Sequence, residues 1–374
     1  MKNKENSTAE AKKRLTAELK KIDNKKSKIL FFVYDSKGTP SGSLAYIYET
    51  ALHLKKMGYN VQMLYSEKEF VGVEDWLGEE YAKLPHYNVD RSNVDISPAD
   101  VLFIPDVYAN VMSMTRNLPC KRVAIITNTS YLVDSMPIGA NLFQYGITDF
   151  ITVSDSLLKT VKSYFPNSRG HVVQPMVNKV FEYNKDIKYN GPIINVVADN
   201  NEVSNTFVKP FFWKYPLLRW IPIRNISGLK RSEFAKACEE SLITVWLDRE
   251  CNFGYAALEA MKCGSILVGL VPDREQEWMT NEDGELKGAI WCPNVETMHD
   301  TVASIVYSYL HNDEPTKLYE DAQTITARYG EKQFELSLNK VYIERILEDR
   351  KKELHIALSI LENKENKEEK KDEQ

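Results

Sequence analysis

Between residues 242 and 270 the chain reads strand, loop, helix, strand, and this order leaves few folds open. An apolar run (LITVWL, 242–247) leads into a charged loop, then Asn252, Phe253 and Gly254, then helix formers from Tyr255 to Lys262. Cys263 and Gly264 stop that helix, Gly264 standing just past its end where a left-handed backbone is commonly needed. A second apolar run (265–270) follows, so the unit is a parallel crossover, the building block of an open α/β sheet.

The chemistry of such a unit sits at the start of its helix. Unpaired N–H groups and the positive end of the helix dipole converge there, which suits a phosphate. Gly254 lets a ligand approach the backbone, and Glu259 offers an acceptor pair for two neighbouring hydroxyls, as on a ribose. Taken alone, Gly254 reads equally as a turn glycine and Glu259 as an exposed helix residue.

The same stretch resembles the donor-site motif of retaining glycosyltransferases with the two-domain GT-B fold. Their pattern is Glu-Gly-Phe-Gly, four residues, Glu-Ala-Met, two residues, Gly; Phe253, Gly254, Glu259, Ala260, Met261 and Gly264 fall on it at that spacing. The resemblance gives Glu259 the ribose of a nucleotide. The family's first Glu, which contacts the donor sugar, falls on Cys251, with Glu250 displaced by one. The sugar contact therefore passes to Glu250 or is lost.

Upstream, residues 29–34 (ILFFVY) form a strand buried on both faces, followed by a loop with Gly38 and Gly42, a helical pattern to Gly58 and a strand at 61–65. This is a Rossmann-like opening without the full GxGxxG spacing, which disfavours NAD. By the resemblance, Gly42 and Ser43 lie near the donor's diphosphate. Runs at 100–105 and 122–126 read as central strands, and Asn128 stands at the tip of the second, where ligand groups gather in such sheets. It either binds a sugar hydroxyl or caps a turn. His171 to Asn178 resembles the family's last first-domain strand and linker.

The second domain departs from the family at one place. After the strand at 192–198 the family carries an arginine and a lysine that clamp the diphosphate; here the first cation is Lys209, with Lys214 and Arg224 beyond it. A strand at 217–223 is expected to end at Arg224 and Asn225, where the family's base stacks, so both are candidate base or phosphate contacts. Arg224 reads equally as a surface charge or a salt-bridge partner.

The expected architecture is α/β, two Rossmann-like domains facing across a cleft: a charged extension at 1–27, a first domain at 28–176, a donor domain at 177–330, a helix crossing back at 331–357 and a disordered charged tail at 358–374. The extension permits a short amphipathic helix, solvated or loosely docked. A net charge of −5 disfavours nucleic acid as a partner. No apolar run reaches the length of a membrane span, which leaves only peripheral membrane contact, and no secretory signal is visible. The five cysteines form no CxxC pair, which reads as reduced thiols in a cytoplasmic protein. The six histidines lack HExxH or close pairing, so no metal ligand is expected among them. The implied activity is metal-independent transfer of a hexosyl-type sugar, with retention, from a nucleotide-diphosphate sugar to an unknown acceptor, a glycan, a protein or a small molecule, without a cofactor. Asn128, Glu250 and Cys251 would surround the sugar. The alternatives are an inactive nucleotide-sugar binder and an enzyme that glycosylates nucleic-acid bases.

Overall fold

Two parallel sheets carry the chain, and the computed structural model describes residues 2–183, 192–198, 200–250, 253–280, 285–313 and 316–372 of it. The first sheet is built from β1 (Lys28–Phe32), β2 (Asn60–Tyr65), β3 (His86–Asn88), β4 (Val101–Pro105), β5 (Lys121–Ile126), β6 (Asp149–Thr152) and β7 (Arg169–Val172), in the order β3-β2-β1-β4-β5-β6-β7. The second contains β8 (Ile194–Val197), β9 (Ile223–Asn225), β10 (Ile243–Trp246), β11 (Ile266–Leu270) and β12 (Ile290–Cys292), in the order β12-β11-β10-β8-β9. Each sheet reverses its strand order once, between β1 and β4 and between β8 and β10. Such reversals open a crevice at the carboxyl ends of the strands.

The central strands are apolar runs because helices cover both of their faces. Every residue of β4, β5, β10 and β11 is buried, and in β1 only Lys28 is not. The strand expected at 217–223 is displaced. Pro216 opens a 3-10 turn, Pro216–Leu218, Leu217 is 82% exposed, and pairing with β8 begins only at Ile223. Proline has no N–H for a ladder, so Pro216 and Pro222 confine the strand to the short stretch beyond them.

After the second sheet the chain returns to the first. Helix Glu331–Leu338 runs into a π-helical segment, Asn339–Leu347, and then into helix Glu348–Asp372. Tyr342 packs on Phe103 with ring centroids 4.8 Å apart, Lys121 pairs with Glu353 at 2.8 Å, and Arg169 with Asp349 at 2.8 Å. The last helix reaches Asp372, across the tail expected to lack order, because Glu and Lys are strong helix formers. The amino-terminal helix, Lys2–Asp23, is docked: Leu19 is 6% exposed, Glu18 accepts from the Ala99 N–H at 3.2 Å, and Asp23 pairs with Lys351 at 2.5 Å.

Candidate functional site

Two helices, one from each sheet, begin at the same cleft. Gly42–Lys56 follows β1; Ser41 caps it by accepting from the Leu44 N–H at 3.4 Å, and Tyr34 holds the Ser41 hydroxyl at 2.9 Å. Tyr255–Lys262 follows β10, with Gly254 as its first flanking residue at φ 87° and ψ 47°, a left-handed conformation that suits glycine. A Cβ on Gly42 would stand 3.4 Å from the Tyr255 ring, so the two helix starts nearly touch. They open onto a cleft of about 480 Å³, lined from residues beyond the ends of β1, β5, β6, β8, β9 and β10.

The backbone ahead of Gly254 is held from below. Trp278, fully buried, donates its indole N–H to the Phe253 carbonyl at 2.6 Å, and Phe253 itself is 4% exposed. Trp278→Phe would leave that carbonyl unpaired and a small void beside it. A loss of about 2 kcal/mol in unfolding free energy is expected, read from urea midpoints at an unchanged slope.

Glu259 faces the cleft one turn into its helix, half-buried. Burial pushes its carboxyl up to about 8, against the pull of Arg231 and with Glu49 adding to the rise. Among the described residues, Arg231 is the cation that lines this cleft. It is the first residue of helix Arg231–Glu240, its side chain is 12% exposed, and its Nη1 donates to Glu49 Oε1 at 2.7 Å and to the Tyr81 hydroxyl at 3.0 Å. Asn178, in the linker after β7, donates to the same Glu49 oxygen at 2.9 Å. First domain, linker and second domain thus meet at one carboxylate.

Across the cleft, Asp106 organises the tip of β5. Its Oδ2 accepts from the Thr127 N–H at 2.7 Å, the Asn128 N–H at 2.9 Å and the Thr127 hydroxyl at 3.2 Å, and Thr127 and Ser43 hydroxyls meet at 2.7 Å. Burial pushes the Asp106 carboxyl up to about 6, against those same hydrogen bonds. Ser43 and Asn128 are thereby fixed to one anchor. Asn128 caps helix Thr129–Ser135, its side chain accepting from Ser130 N–H at 2.8 Å, so capping is the role its oxygen fills here.

Among the residues singled out in the sequence, Gly42, Ser43, Asn128, Glu250, Phe253, Gly254 and Glu259 line the cleft. Cys251 lies outside the described residues. Lys209 does not line it: it is exposed on helix Asn201–Lys214, whose buried face carries Ser204, Phe207 and Phe211. Lys214 pairs with Asp300. Arg224 is tied to Glu240 at 2.9 Å, and Asn225 to Asn201 at 2.7 Å; neither is a lining residue, although Ser227 and Gly228 just beyond them are. Where the family carries its cation pair, this chain has Asn200, which caps helix Asn201–Lys214 by accepting from Val203 N–H at 2.9 Å.

Arg231, Tyr255, Asp106 and Trp278 escape sequence reasoning. One signal pointed to Arg231: a cation in the first helical turn opposes the helix dipole, so its charge is best used elsewhere.

No protein-family model and no curated protein sequence matches the chain. Solved structures do. A sucrose-phosphate synthase from Thermosynechococcus elongatus superposes at TM-score 0.60 with 10% identity, over 85% of this chain and 98% of the other. A glycosyltransferase from Rickettsia africae ESF-5 superposes at 0.56 with 15% identity, over 85% and 98%. An alpha-glucosyltransferase in complex with UDP and a 13-mer DNA containing an HMU base superposes at 0.56 with 14% identity, over 83% and 97%. At such identities likeness carries architecture alone, and that architecture, two facing Rossmann-like domains with a returning C-terminal helix, is the GT-B fold.

Proposed function

We propose that the cleft binds a nucleotide-diphosphate sugar and that the chain is a glycosyltransferase that transfers the sugar with retention to an acceptor. One observation carries this reading: the starts of helices Gly42–Lys56 and Tyr255–Lys262 converge on one cleft that also holds Arg231 and Glu259. Backbone N–H groups and the guanidinium are suited to the diphosphate, and they stabilise the charge that grows as it leaves. Glu259 is suited to the ribose diol. Ser43, Asn128 and Glu250 lie where a sugar would extend, and the acceptor attacks from the face the leaving group departs. Positioning and charge stabilisation then supply the rate, and the transfer step needs no metal. Arg231 takes the part of the family's missing cation pair.

The test is direct. Thermal shifts are recorded with UDP, GDP and ADP, and donor hydrolysis is followed with their sugars. A nucleotide at a hundred times its dissociation constant is expected to add about 2.7 kcal/mol of stability. No shift with any of them would sink the reading. Binding without turnover of any donor or acceptor would leave a binding protein in place of an enzyme.

A second reading, transfer to a base in nucleic acid, is favoured by one likeness, that to the glucosyltransferase solved with UDP and DNA. It predicts DNA binding that weakens steeply with salt. Salt-independent or absent binding removes it.

A further inference from the structure

We propose a divalent-cation site, of zinc type, at the junction of helix Gly42–Lys56 with helix Glu331–Leu338, formed by His53, Glu49 and Glu331 and supported by Glu335. It lies outside the cleft lining and does not depend on the donor-binding reading.

His53 is 1% exposed. Phe334 packs edge-to-face on its ring at 5.5 Å, which leaves the nitrogen-bearing edge to polar partners. Nδ1 lies 3.0 Å from Glu335 Oε1. An ionised carboxylate only accepts, so Nδ1 carries the hydrogen there, and Nε2 is the ring atom left for an ion. Around Nε2 stand two more carboxylate oxygens, Glu331 Oε1 at 3.8 Å and Glu49 Oε2 at 4.0 Å. Nε2 thus has two carboxylate oxygens within 4.0 Å, and the ligand atoms of His53, Glu331 and Glu335 lie within 4.8 Å of one another. Glu49 Oε2 is buried and has no hydrogen-bond partner among the described residues, although the other oxygen of the same carboxylate is paired with Arg231 and Asn178. A buried carboxylate oxygen left without a donor is costly.

A cation among them resolves the conflict. With bonds of zinc length, donor atoms in a tetrahedron stand about 3.4 Å apart, so the two nitrogen–oxygen spacings, 3.8 and 4.0 Å, need to close by about half an ångström. One imidazole with carboxylates favours zinc over magnesium or calcium, which prefer oxygen alone. Glu335 on Nδ1 then orients the ring and raises its basicity, the usual outer partner of a metal-bound histidine. Glu331 is half-exposed, so the fourth position opens to water. Because Glu49 also holds Arg231, the ion would lock the returning helix to the residue that positions the cation of the cleft.

The test uses the full chain, stripped with a chelator, desalted and titrated with zinc chloride against a chromophoric competitor. One equivalent is expected to bind tightly and to raise the melting temperature. Glu331→Gln, at a half-exposed position that should not disturb folding, is expected to weaken that equivalent at least tenfold and remove the melting shift. Glu335→Gln is expected to weaken it roughly 10- to 100-fold. Zinc bound equally by wild type and Glu331→Gln, as by thiols elsewhere, would overturn the proposal, as would failure of the wild type to bind zinc.

Discussion

Arg231→Ala is expected to lower kcat/KM for the proposed sugar transfer by roughly 10²- to 10³-fold and to cost about 3 kcal/mol of stability. Both losses come from one side chain. Its guanidinium reaches Glu49 at 2.7 Å and the Tyr81 hydroxyl at 3.0 Å, and Glu49's side chain is only 4% exposed. Removing the cation leaves a buried carboxylate uncompensated, the costly way to break such a pair. It also removes the one cation lining the cleft among the described residues, the charge that the proposed transfer would set against a departing diphosphate. Arg231→Lys keeps the charge without the planar guanidinium, whose Nη1 reaches both Glu49 and Tyr81. That variant should regain much of the stability while transfer stays at least tenfold down. Urea unfolding and initial rates separate the terms. A stability loss in the alanine variant with undiminished transfer would reduce Arg231 to a tie between domains.

What the sequence makes legible is what neighbouring residues decide. Helix Tyr255–Lys262 has the bounds its composition implies, because Gly254 and Gly264 mark its ends locally, at φ 87° and 75°. The sheets are legible for the same reason: strands covered on both faces are short uninterrupted apolar runs. Strand β9 is not, since two prolines outweigh an apolar run.

Lys209 fails on register. Phe207 and Phe211, four residues apart and buried, define the packed face of their helix, and a residue two on from Phe207 points about 200° away. Arg231 fails on distance. Its partner Glu49 is 182 positions away, and His53 and Glu335 are 282 apart, so only the assembled domains bring either pair together. A search for closely spaced ligands passes over His53 by construction. The stretch that resembles a donor motif is local; the charges that would serve it are not.

Glu259 gives the second large effect, and its sign depends on pH. Burial pushes its carboxyl from 4.5 up to about 8 in the open cleft, so near neutrality it is mostly protonated. A folded-state pKa raised above the unfolded one contributes stability that is whole below about pH 4.5 and lost as pH rises through 8. Relative to Glu259→Gln, the ligand-free protein should lose about 2 kcal/mol between pH 5 and 9, a figure already reduced for partial exposure. Binding should run the other way. The carboxylate accepts from both hydroxyls of a ribose diol and the protonated acid from only one, so nucleotide affinity is expected to tighten through pH 8. Glu259→Ala, which removes two charge-assisted hydrogen bonds, should weaken binding by roughly 100-fold at pH 8. Calorimetric titrations at pH 6, 7, 8 and 9 on the three proteins read all of this. A flat wild-type profile, or an alanine variant that binds undiminished, would put the ribose on another residue.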